Sequence, residues 1–279
     1  MTDAPAPWTR RYRNFRLLQV VRTERLTPGM RRVVVGGPEM EGISDGVNVK
    51  LLLPPDADTP LGLPMKGEDG RPAYASGAVP PVIRTYTNRR IDRAAGEMHI
   101  DFVLHGHGIA SEWARRAKPG DPLGLAGPGG LTLRPSDSYL IAGDQTALPA
   151  IGSMLETLPG DARGHAFIEI PDEAERQPLV HPPGLAVTWL ISRGGPSPLV
   201  EAVESLPWPE DRVFAWIGAE SAPTRWLRAY VREKRGLDRR QHLAIGYWKR
   251  GMTETDYHDR HDNDRDADYH ATARETPGW

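Results

Sequence analysis

Residues 139–155 read YLIAGDQTALPAIGSML, and the change of period inside them decides the architecture. A short apolar strand runs into Gly143-Asp144-Gln145-Thr146. A second pattern then starts, with Leu148, Ile151, Leu155 and Leu158 on one helical face. A buried strand that feeds straight into a helix is the building unit of a mostly parallel sheet covered on both faces. Downstream the alternation continues. Strands are predicted over 165–170, 186–191, 213–217 and 242–245, and helices over 198–206 and 223–235. Upstream the pattern is different. Residues 15–23, 30–35, 47–53, 82–88, 98–105 and 123–126 read as strands, punctuated by Pro and Gly. One late helix is predicted over 109–117, and 53–81 reads as a long loop. The expected fold is an N-terminal six-stranded antiparallel Greek-key β-barrel followed by an α/β domain with a mostly parallel sheet.

The expected domains are 1–132 and 133–251, with the boundary in GPGGLTLRP. A tail over 252–279 holds eight acids and three arginines, and is expected to form one exposed helix near 255–266 that frays beyond. The whole chain of 279 residues suits two domains at about 100–200 residues each. A net charge of −2 gives no bias toward nucleic acid or an anionic membrane. The absence of cysteine excludes disulfides, thiol catalysis and thiolate-held metal or iron–sulfur groups. Redox chemistry would therefore come from a bound organic cofactor or a non-thiolate metal. No apolar run approaches the ~20 residues that span a bilayer. The N-terminus carries no apolar signal region, so the cytoplasm is the expected location.

Four stretches carry candidate chemistry. VIRTYTNRR, residues 82–90, alternates like a strand but holds three arginines. Arg84 offers a guanidinium fork to a pyrophosphate. Tyr86 offers a flat face to a flavin or its ribityl chain, and Thr87 a hydroxyl to the redox edge. An exposed strand with solvated arginines reads equally well on these residues alone. DFVLHGHGIASEW, residues 101–113, joins a strand to a helix through His105-Gly106, with small Gly108, Ala110 and Ser111 at the helix start. Such a start can receive a diphosphate on its N–H groups, or can be an ordinary cap. Asp101 and Val103, on the strand leading in, are candidates with it. His105 and His107 share a strand face, but without a nearby carboxylate cluster hydrogen bonding is favoured over a metal. In the opening stretch, Asp144 or Thr146 is expected to cap the helix, and the glycine fingerprint of a standard dinucleotide site is absent. AIGYWKRG, residues 244–251, ends its strand in Tyr247 and Trp248, followed by Lys249 and Arg250. Its aromatics can face a flavin or cover the core.

Taken in order, VIRTYTNRR, DFVLHGHGIASEWARRAKPGD, GLAGPGG, YLIAGDQTALPAI, WIGAE and GYWKRG resemble the siderophore-interacting protein family. Its members are flavin-dependent ferric-siderophore reductases, similar to ferredoxin–NADP⁺ reductases in having a barrel for FAD and an α/β domain for NAD(P)H. The resemblance implies that Arg84, Thr85, Tyr86 and Thr87 bind FAD. It implies that His105, Gly106, Ala110 and Ser111 receive the rest of the cofactor. Gly143, Asp144, Thr146 and Ala147 would stand at the flavin–nicotinamide junction, and Gly218, Ala219 and Glu220 on a second nucleotide-side loop. Tyr247 and Trp248 join the cofactor side. Lys50, with Lys249 and Arg250, would form a cationic rim for an anionic ferric siderophore. Thr87 and Asp144 would position the flavin rather than act as acid or base. NADH or NADPH would donate electrons, with a ferredoxin as the alternative donor, to a monomeric enzyme. Two competitors stay open: a general NAD(P)H:flavin oxidoreductase with a protein or quinone acceptor, and a non-enzymatic siderophore-binding protein.

Overall fold

The computed structural model describes residues 15–106, 108–131 and 133–275. The chain divides between Gly129 and Gly130 into two compact units. His107 lies outside the described residues.

The first unit is built on a seven-stranded antiparallel sheet. Its strands are β1 (Arg16–Thr27), β2 (Met30–Gly36), β3 (Asn48–Leu53), β6 (Val82–Thr87), β7 (Arg90–Asp92), β8 (Glu97–Val103) and β9 (Pro122–Gly129). They are ordered β6-β3-β9-β1-β2-β8-β7. Alternation sends Leu18 and Val20 of β1, Val33 and Val35 of β2, and Val49 and Leu51 of β3 into one core. Tyr86 of β6 and Phe102 of β8 stand near opposite ends of the strand order, yet their rings lie 4.4 Å apart. The sheet is therefore rolled around its core. Helix α1 (Ile109–Arg116) closes one opening with Trp113, whose ring is 5.7 Å from Phe102. The sheet has seven strands, one more than the sequence indicates. The additional strand, β7, is only three residues long and carries no apolar alternation to mark it. The long loop also has structure of its own. In it β4 (Met65–Lys66) and β5 (Pro72–Ala73) pair antiparallel. Leu63 packs so closely on Gly124 that a Cβ there would lie 2.5 Å from the leucine Cδ2.

The second unit is a parallel sheet of β10 (Ser138–Asp144), β11 (Arg163–Ile170), β12 (Gly184–Ile191), β13 (Val213–Glu220) and β14 (His242–Trp248), ordered β12-β11-β10-β13-β14. Helix α2 (Leu148–Thr157) lies on one face, where Ala147 and Ile151 come within 2.9 Å of the position a Gly143 Cβ would take. Helices α3 (Leu199–Glu204) and α4 (Ser221–Ala229) cover the other. There Leu199, Val203 and Leu227 pack on Leu140, Ala215 and Ile217. The chain builds outward from β10 to β12, then restarts at β13 on the opposite side. The order thus reverses between β10 and β13, the place where open α/β sheets bind ligands at their strand C-termini. Among the described residues, no helix is long and apolar enough to cross a membrane.

The tail is not one exposed helix. It forms α5 (Glu254–His261), a tight turn at Asp262–Asp264, and α6 (Ala267–Glu275), all within the second unit. Tyr257 is fully buried, and Tyr269 and Ala273 nearly so. The acids that suggested a solvated segment meet arginines of the α/β domain. Asp266 pairs with Arg232 at 3.0 Å and Arg228 at 3.5 Å, and Glu275 with Arg239 at 2.6 Å. The segment covers β14, an edge strand that would otherwise be open to further pairing. A Cβ on Gly246 of β14 would collide with the buried Tyr257 hydroxyl. Gly246→Ala is accordingly expected to destabilise the protein by about 1–3 kcal/mol through overpacking. Thermal denaturation would register this as a lowered Tm, whereas Gly160→Ala, where a Cβ meets nothing within 4 Å and φ is not left-handed, serves as a control.

Candidate functional site

In the first unit, the candidate cofactor residues sit on β6, an edge strand bonded only to β3. The register places Arg84 opposite Leu51 and Tyr86 opposite Val49, so both lie on the inner face. Thr85 and Thr87 fall on the other face, opposite Lys50 and Asn48. The four residues therefore do not share a side. Arg84 donates through Nη1 to its neighbour's carbonyl, Ile83 O, at 2.8 Å. Lys50 Nζ donates to Thr85 Oγ1, which ties the candidate rim lysine to the cofactor strand. Thr87 is buried. The row Tyr86–Phe102–Trp113 carries this strand across the core to α1.

The turn before α1 is closed by Ser111, whose hydroxyl accepts from His105 N–H at 3.0 Å. The cap position of α1 is Gly108, and no side chain caps it. Its first-turn N–H groups are thus donors that no cap claims. A Cβ on Gly108 would stand 3.0 Å from the His105 ring, so the glycine lets the turn close against the imidazole. Partial desolvation, helped by the Arg115 charge, pushes His105 below the ordinary histidine range. Asp101 is engaged elsewhere. Its two oxygens accept from Arg32 Nε and Nη2 at 2.6 and 2.8 Å. Val103 is half-buried at the end of β8, opposite Met30. Among the described residues, no three His, Asp or Glu are arranged to hold a metal ion.

In the second unit, the strand ends converge on Asp144. Its Oδ1 accepts from Thr146 N–H at 2.9 Å and Thr146 Oγ1 at 2.5 Å. Its Oδ2 accepts from Glu220 N–H at 2.9 Å and Trp248 Nε1 at 2.7 Å. One carboxylate thereby joins the C-terminal ends of β10, β13 and β14. Burial pushes the carboxyl up, and the bonds from Thr146 and Trp248 oppose that shift. The expected cap of α2 by Asp144 or Thr146 is not made. The cap position is Ala147, without a side-chain bond, because Asp144 is turned across the sheet instead. Gly143 is required by a close approach: a Cβ would lie 2.7 Å from Gly218 O. Ala147 and Ala219 are fully buried, so their side chains serve packing. Tyr247 meets Trp216 edge-on at 6.1 Å. Glu220 accepts from Arg250 N–H at 3.3 Å, and Lys249 Nζ lies 3.2 Å from His261 Nε2.

Sequence reasoning missed Glu175, Asn88 and the role of Asp264. Gln145 donates to buried Glu175 at 2.6 Å. Asn88, next after Thr87, is buried with its Oδ1 unpartnered. Asp264 of the tail accepts from Ser221 at the start of α4. Their partners lie 30 and 43 residues away for Glu175 and Asp264, where no local pattern connects them.

The donor set of the first unit fits FAD. The Arg84 guanidinium and the uncapped N–H groups of α1 are groups of the kind that take a diphosphate, and the hydroxyls of Thr85 and Thr87 lie on the opposite face of β6 from Arg84 and Tyr86. Residues 19–132 match the Siderophore-interacting FAD-binding domain, and residues 136–251 match the Siderophore-interacting protein domain. Ferric vibriobactin reductase ViuB of Vibrio cholerae is 33% identical over 254 residues, covering 88% of this chain and 93% of that one. The NADPH-dependent ferric-chelate reductase of Escherichia coli is 34% identical over 262 residues, covering 89% and 99%. The crystal structure of a siderophore utilization protein from T. fusca superimposes with a TM-score of 0.79 at 39% identity, covering 88% and 96%. The chain belongs to the siderophore-interacting protein family, and its cofactor is FAD.

Proposed function

We propose that this chain is a cytoplasmic, monomeric ferric-siderophore reductase that draws electrons from NAD(P)H through FAD. The observation that carries the reading is the match, along both units, to two relatives named as ferric reductases. Bound FAD supplies a carrier that takes electrons in pairs and releases them singly. Arg84, with the N–H groups that open α1, would neutralise the diphosphate. Tyr86 would pack against the cofactor, and Thr85 and Thr87 would offer hydroxyls. The strand-end cluster of Asp144, Thr146, Glu220 and Trp248 would orient the nicotinamide nucleotide beside Gly143 and Gly218. The substrate is Fe³⁺ held by hard oxygen ligands, which bind Fe²⁺ far less strongly, so reduction releases the metal. That outcome needs no side-chain nucleophile or general base.

Lys50, Lys249 and Arg250 would draw in an anionic ferric siderophore. Lys50→Gln is expected to raise KM for such a substrate about three- to tenfold, the size of one lost charge near a partly buried site. FAD content should be unchanged. Steady-state kinetics beside flavin absorbance checks both, and an unchanged KM removes Lys50 from the rim.

The function itself is tested by anaerobic titration of the FAD-loaded protein with NADH, NADPH or reduced ferredoxin. A panel of ferric siderophores and quinones is then added. Bleaching by a nicotinamide nucleotide and prompt reoxidation by a ferric siderophore is the expected result. Reoxidation by quinones alone would point to a general flavin oxidoreductase. A purified protein that takes up no flavin would point to a binding protein.

A further inference from the structure

The turn joining α5 to α6 has an unusual backbone. Asp262, Asn263 and Asp264 are consecutive non-glycine residues at φ 47°, 54° and 53°. Left-handed conformations are disfavoured for each and rarely occur in a row. Outliers of this kind persist only where the surroundings over-determine them, and they often mark function. Here the surroundings are specific. His258 Nδ1 lies 3.0 Å from Asn263 Oδ1, and His270 Nε2 lies 2.7 Å from Asp262 Oδ2. Arg228 donates to the Asp264 carbonyl. The turn directs the Asp264 side chain inward, where it is 8% exposed. There its Oδ2 accepts from Tyr257 OH at 2.8 Å and from Ser221 Oγ.

What this pair touches is more informative than how it is held. Ser221 directly follows Glu220, whose N–H donates to Asp144. The Tyr257 hydroxyl fills the space beside Gly246, two residues before Trp248, whose indole N–H donates to the same Asp144. Asp264 and Tyr257 thus grip, from behind, both elements that meet Asp144 from β13 and β14. We infer that Tyr257 and Asp264 are positioning residues for the nicotinamide nucleotide. They fix the β13–α4 turn and the end of β14 so that Glu220 and Trp248 present a formed edge. The inference rests on the reading that this strand-end cluster takes NAD(P)H.

The test uses the full chain loaded with FAD, with variants Tyr257→Phe, Asp264→Asn and Ser221→Ala. Tyr257→Phe keeps the ring that packs on β14, and Ser221→Ala removes only one hydroxyl, so at least one variant remains foldable. Calorimetry measures Kd for NADP⁺ and NAD⁺, which bind without reacting, and kinetics separates KM for the reduced nucleotide from kcat. Tyr257→Phe and Asp264→Asn are each expected to raise Kd and KM about five- to tenfold, with kcat and FAD per chain within twofold of wild type. The double variant should be no worse than the weaker single, since both act through one oxygen. A lowered Tm with unchanged Kd and KM would reduce the pair to a structural role and overturn the inference. Wild-type protein that binds neither nucleotide would overturn the underlying donor reading instead.

Discussion

Asp144→Ala is expected to lower the unfolding free energy by about 2–4 kcal/mol, one of the largest effects of any single side chain in the second unit. Glu220 N–H, Trp248 Nε1–H, and the N–H and Oγ–H of Thr146 all end on this carboxylate. Each buried donor left without an acceptor costs about 1–3 kcal/mol. Two terms reduce the sum. Alanine removes a carboxylate whose burial is itself unfavourable, as the upward push on its carboxyl shows. Water can also enter at the strand ends, because Trp248 is 36% exposed. The remainder corresponds to a Tm drop of roughly 5–15 °C for a chain of this size. Asp144→Asn should fall between wild type and alanine: its Oδ1 still accepts, but its amide nitrogen faces donors. Differential scanning calorimetry of the three proteins checks the order. Equal Tm values for wild type and alanine would mean that the cluster contributes nothing net, and that Asp144 is held there for its ligand alone.

The period change at 139–155 was sufficient to separate a strand-rich first unit from a parallel α/β unit, because buried strands and amphipathic helices write their spacing directly into the chain. The same logic fails where a structure depends on few residues. Strand β7 is three residues long, and two of them are charged. The tail failed for a different reason. Its composition is acidic, yet the partners of those acids, Arg228, Arg232 and Arg239, lie on elements that pack against it only in the folded state. The decisive contact is recorded in the sequence only as a missing side chain, Gly246, where Tyr257 sits. The candidate site shows the same division. Gly143-Asp144 is visible as a strand-to-helix crossing, but the reason Asp144 does not cap α2 is Trp248, 104 positions further on. Local rules predicted the cap because they cannot see an indole arriving from another strand.

Physically, the two units solve different problems with the same device. In each, a short turn after a strand is left with backbone N–H groups that a side chain then claims or leaves open. Ser111 claims the N–H of His105, while the first turn of α1 stays uncapped behind Gly108. Asp144 claims the N–H groups of Thr146 and Glu220, and α2 stays uncapped behind Ala147. The buried side chains fix both turns; the start of α1 keeps uncapped N–H groups, whereas at α2 Leu148 N–H donates to Gln145 O and Pro149 has no N–H. On the proposed reading, only the start of α1 offers its N–H groups to a diphosphate, that of FAD.

Arg84→Ala should yield a folded protein that no longer retains FAD through purification. Arg84 stands on the inner face of an edge strand, beside Tyr86 and across the core from α1. Its Nη1 donates to the adjacent carbonyl, Ile83 O. The register of β6 with β3 is made by the main chain and does not depend on this side chain. On the proposed reading, loss of the guanidinium removes a fixed charge that neutralises the diphosphate. A hydrogen bond to a charged group contributes about 1.5–3 kcal/mol, and a guanidinium can supply two in parallel. At about 1.4 kcal/mol per factor of ten, Kd for FAD should rise roughly 100-fold or more. Arg84→Lys keeps the charge without the fork, so a smaller rise of about tenfold is expected. Fluorescence titration of the apoprotein with FAD measures both, and circular dichroism establishes that the fold is retained. A Kd that does not change in the alanine variant would assign the diphosphate to the start of α1 alone, and would return VIRTYTNRR to the solvated strand that its nine residues equally allow.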